Sequence, residues 1–145
     1  MQEDLIIIQN IDNYDMQIKE NSLILKKRIK YLTDVDLLSK NLRNSTLVKS
    51  EINTEILNFN KYKHLLLHLY SKIDINIIVK NTVLNISMEE LYDKGYKYYE
   101  NLGMSIQGSD TKRTLKEIIN VSKLNKINLT IIIKLKTDEV VYFKT

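Results

Sequence analysis

Alanine, cysteine, proline and tryptophan are absent from this chain, and glycine occurs only three times. Zero cysteine excludes disulfides, thiolate metal sites and cysteine nucleophiles. Without proline, no turn is set by a locked φ. Without alanine, helices rely on leucine, lysine, glutamate and isoleucine, and their stability must come from packing an apolar stripe. No apolar run approaches the roughly 20 residues that span a bilayer. Leu5–Ile8 is short and follows Glu3 and Asp4, unlike a secretory leader. The expectation is a cytoplasmic protein with no membrane contact. The sequons at Asn44, Asn85, Asn120 and Asn128 are then chance occurrences in an asparagine-rich chain.

What is present is narrow. Isoleucine, leucine, asparagine and lysine supply more than half of the 145 residues. That bias fits an AT-rich genome such as that of a phage, a plasmid or certain bacteria. A chain of this length buries roughly 70% of its extended surface on folding, enough for one domain with a real core. The net charge is +4, unevenly spread: residues 1–20 hold five acids against one base, and residues 21–73 ten bases against four acids. An acidic partner is one reading, a lysine-rich solvated surface the ordinary one.

The periodicity predicts helices first. Ile11, Tyr14, Ile18, Leu25, Ile29 and Leu32 place an amphipathic helix over residues 11–32. Thr33 and Asp36 mark a restart, with Val35, Leu38 and Leu42 as a short stripe, and Asn44–Thr46 reads as a loop. Ser50 has the chemistry of an N-cap. It precedes the strongest helical pattern, residues 51–73, with Ile52, Ile56, Phe59, Tyr62, Leu66, Leu69 and Ile73 on one face.

After residue 74 the pattern shifts. Ile75–Val79 and Val83–Ile86 read as a hairpin. Ser87 and Glu90 have capping-box spacing, so a helix is predicted from 87 to Leu102, with Gly103 ending it. Met104–Gln107 is a connector or short strand. Ser109 or Asp110 caps a further helix that faces Leu115, Ile118 and Ile119 inward. Ile127–Lys136 alternates as a strand, and Thr137-Asp138 turns the chain into Val140–Phe143. The expected fold is α+β: an N-terminal helical hairpin or small bundle, about residues 1–73, followed by a small antiparallel sheet packed with two helices, about 74–145. All of it forms a single domain, 1–145, with no repeat and no linker.

All three glycines fall between residues 95 and 108, in a stretch rich in tyrosine and lysine. On the predicted helix Tyr92, Tyr96 and Tyr99 share one face, with Lys94 and Lys97 between them. Aromatic rings interleaved with lysine can stack bases while holding phosphates. The plainer reading is a partly buried amphipathic face with wet hydroxyls. Gln107–Arg113 offers a glycine, hydroxyls and a basic helix start at Lys112 and Arg113, an anion-binding pattern. Asp110 opposes phosphate there, and an ordinary N-cap explains the same residues. Lys26, Lys27, Arg28 and Lys30 are a further basic patch or a solvated face. His64 and His68 have i, i+4 spacing on one helix but no third ligand. No nucleophile elbow, P-loop or dinucleotide fingerprint occurs.

The expected function is therefore that of a small non-enzymatic protein-binding accessory protein from a phage or mobile element, inhibiting or modulating a host nuclease or defence complex. No cofactor or metal is expected. The partner-binding residues would be Tyr92, Lys94, Tyr96, Lys97, Tyr99, Lys112 and Arg113. Three alternatives are a nucleic-acid-binding protein using the Tyr/Lys segment, a homo-oligomer built on the 51–73 helix, and a small enzyme or nucleotide-responsive protein around residues 95–113.

Overall fold

Short capped segments and asparagine turns, rather than long helices, set the backbone in the computed structural model, which describes residues 30–145. Most of the predicted 11–32 helix, with Lys26, Lys27 and Arg28, lies outside the described residues. The described chain divides into two compact units, residues 30–60 with 127–145, and residues 61–126.

The first unit is a five-stranded sheet, ordered β1 (Tyr31–Leu32), β8 (Val140–Lys144), β7 (Leu129–Lys134), β2 (Thr46–Ile52) and β3 (Glu55–Leu57). All neighbours are antiparallel except β1 and β8. Helix α1 (Asp34–Ser39) follows β1, and Thr33 caps it by accepting the Asp36 amide at 3.1 Å. The restart at Thr33 holds, but the stripe does not: Leu37 and Leu42 are buried, whereas Val35 is 74% exposed. The terminal hairpin forms as expected. Its strand β7 is more enclosed than simple alternation implies, with Leu129 through Ile133 all buried. A five-residue run of that kind suits a strand covered on both faces.

The second unit opens with α2 (Tyr62–Tyr70) and α3 (Ile75–Asn81). A three-stranded antiparallel sheet follows, ordered β4 (Ile86–Ser87), β6 (Met104–Gln107) and β5 (Tyr96–Tyr99), and α4 (Thr111–Leu124) closes the unit. Helix α2 packs against α4. Leu65, Leu66 and Leu69 of α2 and Leu115 and Ile118 of α4 are fully buried, each contributing roughly 1.5–3 kcal/mol by leaving water. Asp110 caps α4 by accepting the Arg113 amide at 2.7 Å, as the sequence implied.

Several expectations are overturned. No helical hairpin or bundle is present among the described residues; the fold is a mixed α+β arrangement of eight strands in two sheets with four helices. The predicted 51–73 helix is split. Asn53 takes φ +56, and with Thr54 it turns β2 directly into β3, pairing Ile52 with Glu55. Asparagine tolerates that left-handed conformation, so the hairpin wins over the apolar stripe that crosses it. Ser50 is consequently a buried strand residue, not a cap.

The predicted 75–79 strand is instead the helix α3. Asp74 accepts the Asn76 amide at 2.8 Å and starts the turn. The predicted 87–102 helix is replaced by a loop and β5. The Ser87 hydroxyl accepts from Glu89 rather than reaching a third-turn amide. The buried Ser105 hydroxyl donates to the Glu89 carbonyl at 2.5 Å and accepts the Leu91 amide at 2.9 Å, which holds the loop extended. Lys94 and Gly95 then take φ +55 and +81, which ends any helix.

Candidate basic-aromatic site

Residues 61–126 hold eleven lysines and arginines against seven acids, so this unit carries the whole of the chain's net charge of +4. Within it β5 places four consecutive side chains alternately on two faces, Tyr96 and Tyr98 on one, Lys97 and Tyr99 on the other. The predicted sharing of one face by Tyr92, Tyr96 and Tyr99 required a helix and does not occur.

The Tyr99 face is cationic. The Lys97 ammonium lies 5.4 Å from the centre of the Tyr99 ring, and the Lys63 ammonium, delivered by α2, lies 5.8 Å from it. Among the described residues neither ammonium is paired with a carboxylate. Burial, and then the like charge of Lys97, pull Lys63 below the usual lysine range. Burial also raises the half-buried Tyr99 hydroxyl, so it stays protonated. The first turn of α2 contains no acid, and its cap residue, Lys61, makes no side-chain capping bond.

The Tyr92 side has the opposite sign. Tyr92 is 71% exposed and donates to Glu90 at 2.9 Å. That bond raises its hydroxyl, and the charges of Glu90 and Glu100 add to the shift. The seven predicted site residues therefore do not form one patch. Lys97 and Tyr99 meet Lys63, which sequence spacing could not connect to them. Tyr92 joins an acidic cluster. Lys94 sits exposed in the tight turn before β5. Lys112 is exposed on the first turn of α4. The Arg113 guanidinium is committed internally, donating from Nη2 and Nε to the Val83 carbonyl at 2.6 and 3.1 Å.

Sequence reasoning also missed a buried carboxylate. Glu117, on α4, is fully enclosed and accepts from the hydroxyls of Tyr70 and Thr82 and from the Val83 amide. Burial and the bond to Glu117 push the Tyr70 hydroxyl far up. The carboxylate is satisfied and sealed, so it serves as a lock between α2, α4 and the segment before β4 rather than as an acid or base for a substrate. No sequence signal marked it, because its three donors are 34 to 47 residues away.

Three other features were considered. His64 is exposed and His68 half-buried on α2. Among the described residues, no group of three metal-ligating side chains gathers anywhere. An apolar groove of about 500 Å³ opens between α3 and the end of α4, lined by Ile77, Ile78, Val121 and Leu124. Its flanking Asn81 and Asn125 each spend one amide N–H on a carbonyl of their own helices at 2.9 Å. Asn120 and Lys123 add polar groups to the lining, and each of the two flanking amides keeps a second N–H. No described helix is long and apolar enough to cross a membrane. Compared with models of known protein families, with curated proteins and with solved structures, the chain matches none.

Proposed function

We propose that this chain is a nucleic-acid-binding protein that holds a single strand through the Tyr–Lys hairpin of residues 94–107 and the start of α2. The observation that carries the reading is the pair of ammonium groups, Lys63 and Lys97, that lie over one tyrosine ring and have no carboxylate partner among the described residues. A nucleotide offers a partner to both parts: a phosphate for the lysines and a base for the ring. The excess of eleven basic over seven acidic residues in 61–126 supports the same reading. Inhibition of a host protein draws support from composition and from the tyrosines, which are favoured at interfaces, but from no particular arrangement of side chains here. The homo-oligomer reading loses its element, since residues 51–73 are not one helix.

Fluorescence anisotropy with a short single-stranded oligothymidylate tests this. Binding should weaken steeply with added salt, and Lys97→Gln should lower the logarithmic salt slope by about one. Absence of binding at low salt overturns the reading. Displacement of the oligonucleotide by polyglutamate at matched charge would also count against it and would favour an acidic protein partner.

A further inference from the structure

We propose that Lys63 and Lys97 form a seat for a terminal phosphate, the phosphomonoester dianion at the end of a nucleic-acid strand, set beside the Tyr99 ring. The seat rests on the nucleic-acid reading above and narrows it from strands in general to strand ends.

Two elements distant in sequence, α2 and β5, each deliver one cation to the same ring, at 5.8 and 5.4 Å from its centre. Like charges brought together in a partly buried place oppose one another, and no acid among the described residues offsets them. The start of α2 adds Lys61 to the same neighbourhood, although a basic helix start alone would select nothing. The second cation, from β5, puts two ammonium groups at one ring, near enough for Lys97 to act on Lys63. A terminal phosphate carries between one and a half and two negative charges near neutrality, as phosphate monoesters do, with a second ionisation at about pH 6. An internal phosphodiester carries one and leaves an ammonium uncompensated.

The surroundings favour an end for a second reason. Beyond β5 the chain turns through Glu100, and Glu100 and Glu90 both act on the exposed Tyr92. A strand continuing along the hairpin in that direction would carry its next phosphates toward these carboxylates. A strand that stops at Tyr99 avoids them. Two cations at Tyr99 and two carboxylates acting on Tyr92 favour a terminus over a through-running chain.

The probe is the same oligothymidylate in three forms, with a 5′ phosphate, with a 3′ phosphate, and with hydroxyls at both ends. One phosphorylated form should bind about two- to fivefold tighter than the unphosphorylated one, as expected for one further close charge pair. Lys63→Gln and Lys97→Gln should each erase that preference, whereas Lys80→Gln, on the exposed end of α3, should keep it. Lys63→Arg, which retains the charge, should preserve part of it and so separates loss of the seat from loss of the fold. Equal binding of all three probes overturns the seat and leaves the nucleic-acid reading standing. Failure of all three to bind overturns both. A preference that survives in both glutamine variants overturns the seat as well.

Discussion

Arg113 and Glu117, one turn apart on α4, hold the carbonyl and the amide of the same residue, Val83. The guanidinium closes on the Val83 oxygen at 2.6 Å, and the carboxylate accepts the Val83 N–H at 3.0 Å. The link from α3 into the small sheet, which carries β5 and its lysine, is thereby fastened to α4.

Removing this fastening should be costly at Glu117 and mild at Arg113. Glu117→Ala strands two hydroxyls and an amide in a buried site, a loss of about 3–5 kcal/mol. Tyr70→Phe removes one donor and should cost about 1 kcal/mol. Arg113→Ala removes an exposed clamp and should cost about 1 kcal/mol. Urea denaturation of the variants measures these values, and the Arg113/Glu117 double variant should fall short of the sum, because both act on one peptide segment.

Gly95→Ala should destabilise by about 1 kcal/mol although nothing lies within 4 Å of the added methyl. The strain comes from φ +81 alone. Lys94, at φ +55, gives the reciprocal case: Lys94→Gly should stabilise by about 0.5–1 kcal/mol. Thermal melts of the two variants should move in opposite directions.

Two buried hydroxyls, Ser50 Oγ and Ser122 Oγ, have no hydrogen-bond partner among the described residues. Ser50→Ala and Ser122→Ala should each leave stability unchanged or raise it by up to about 1 kcal/mol, since an unmet buried hydroxyl is a cost that alanine removes. Denaturation midpoints lower than that of the parent chain would contradict this.

Lys63 makes stability depend on pH with a definite sign. Its folded pKa lies below its ordinary value of 10.5. Between the two values the unfolded chain binds more protons, so stability rises with pH across that window. Tyr70 and Tyr99, both raised above their ordinary value of 10, act in the opposite sense only as the pH passes about 10. Urea midpoints of the parent chain relative to Lys63→Gln should climb as the pH approaches 10.5 from below. A bound anion favours the charged ammonium, so oligonucleotide affinity should fall over the same window.

Residues whose role depends on neighbours three or four positions away were legible in the sequence. Thr33 and Asp110 cap helices because each hydroxyl or carboxylate reaches an amide three residues on. The terminal hairpin follows from the alternating isoleucines and the turn before Glu139, with Asp138 at φ +70. Where a local pattern supported two structures, non-local pairing chose. The stripe Ile52, Ile56, Phe59, Tyr62 fits a helix, yet β2 is claimed by β7 through six register pairs, and Asn53 supplies the turn. The tyrosines at 92, 96 and 99 likewise fit a helical face until β6 pairs with β5 and Ser105 holds the preceding loop open.

The sequence alone determined the composition, the absence of thiol chemistry, the uneven spread of charge along the chain and the suspicion that fell on Tyr99 and Lys97. Only the tertiary structure brought Lys63 to the same ring, withdrew Arg113 to Val83, and separated Tyr92 into an acidic cluster. The reason is range: capping and alternation act over a few residues, whereas Lys63 and Tyr99 are 36 residues apart and meet only because α2 and β5 belong to one packed unit.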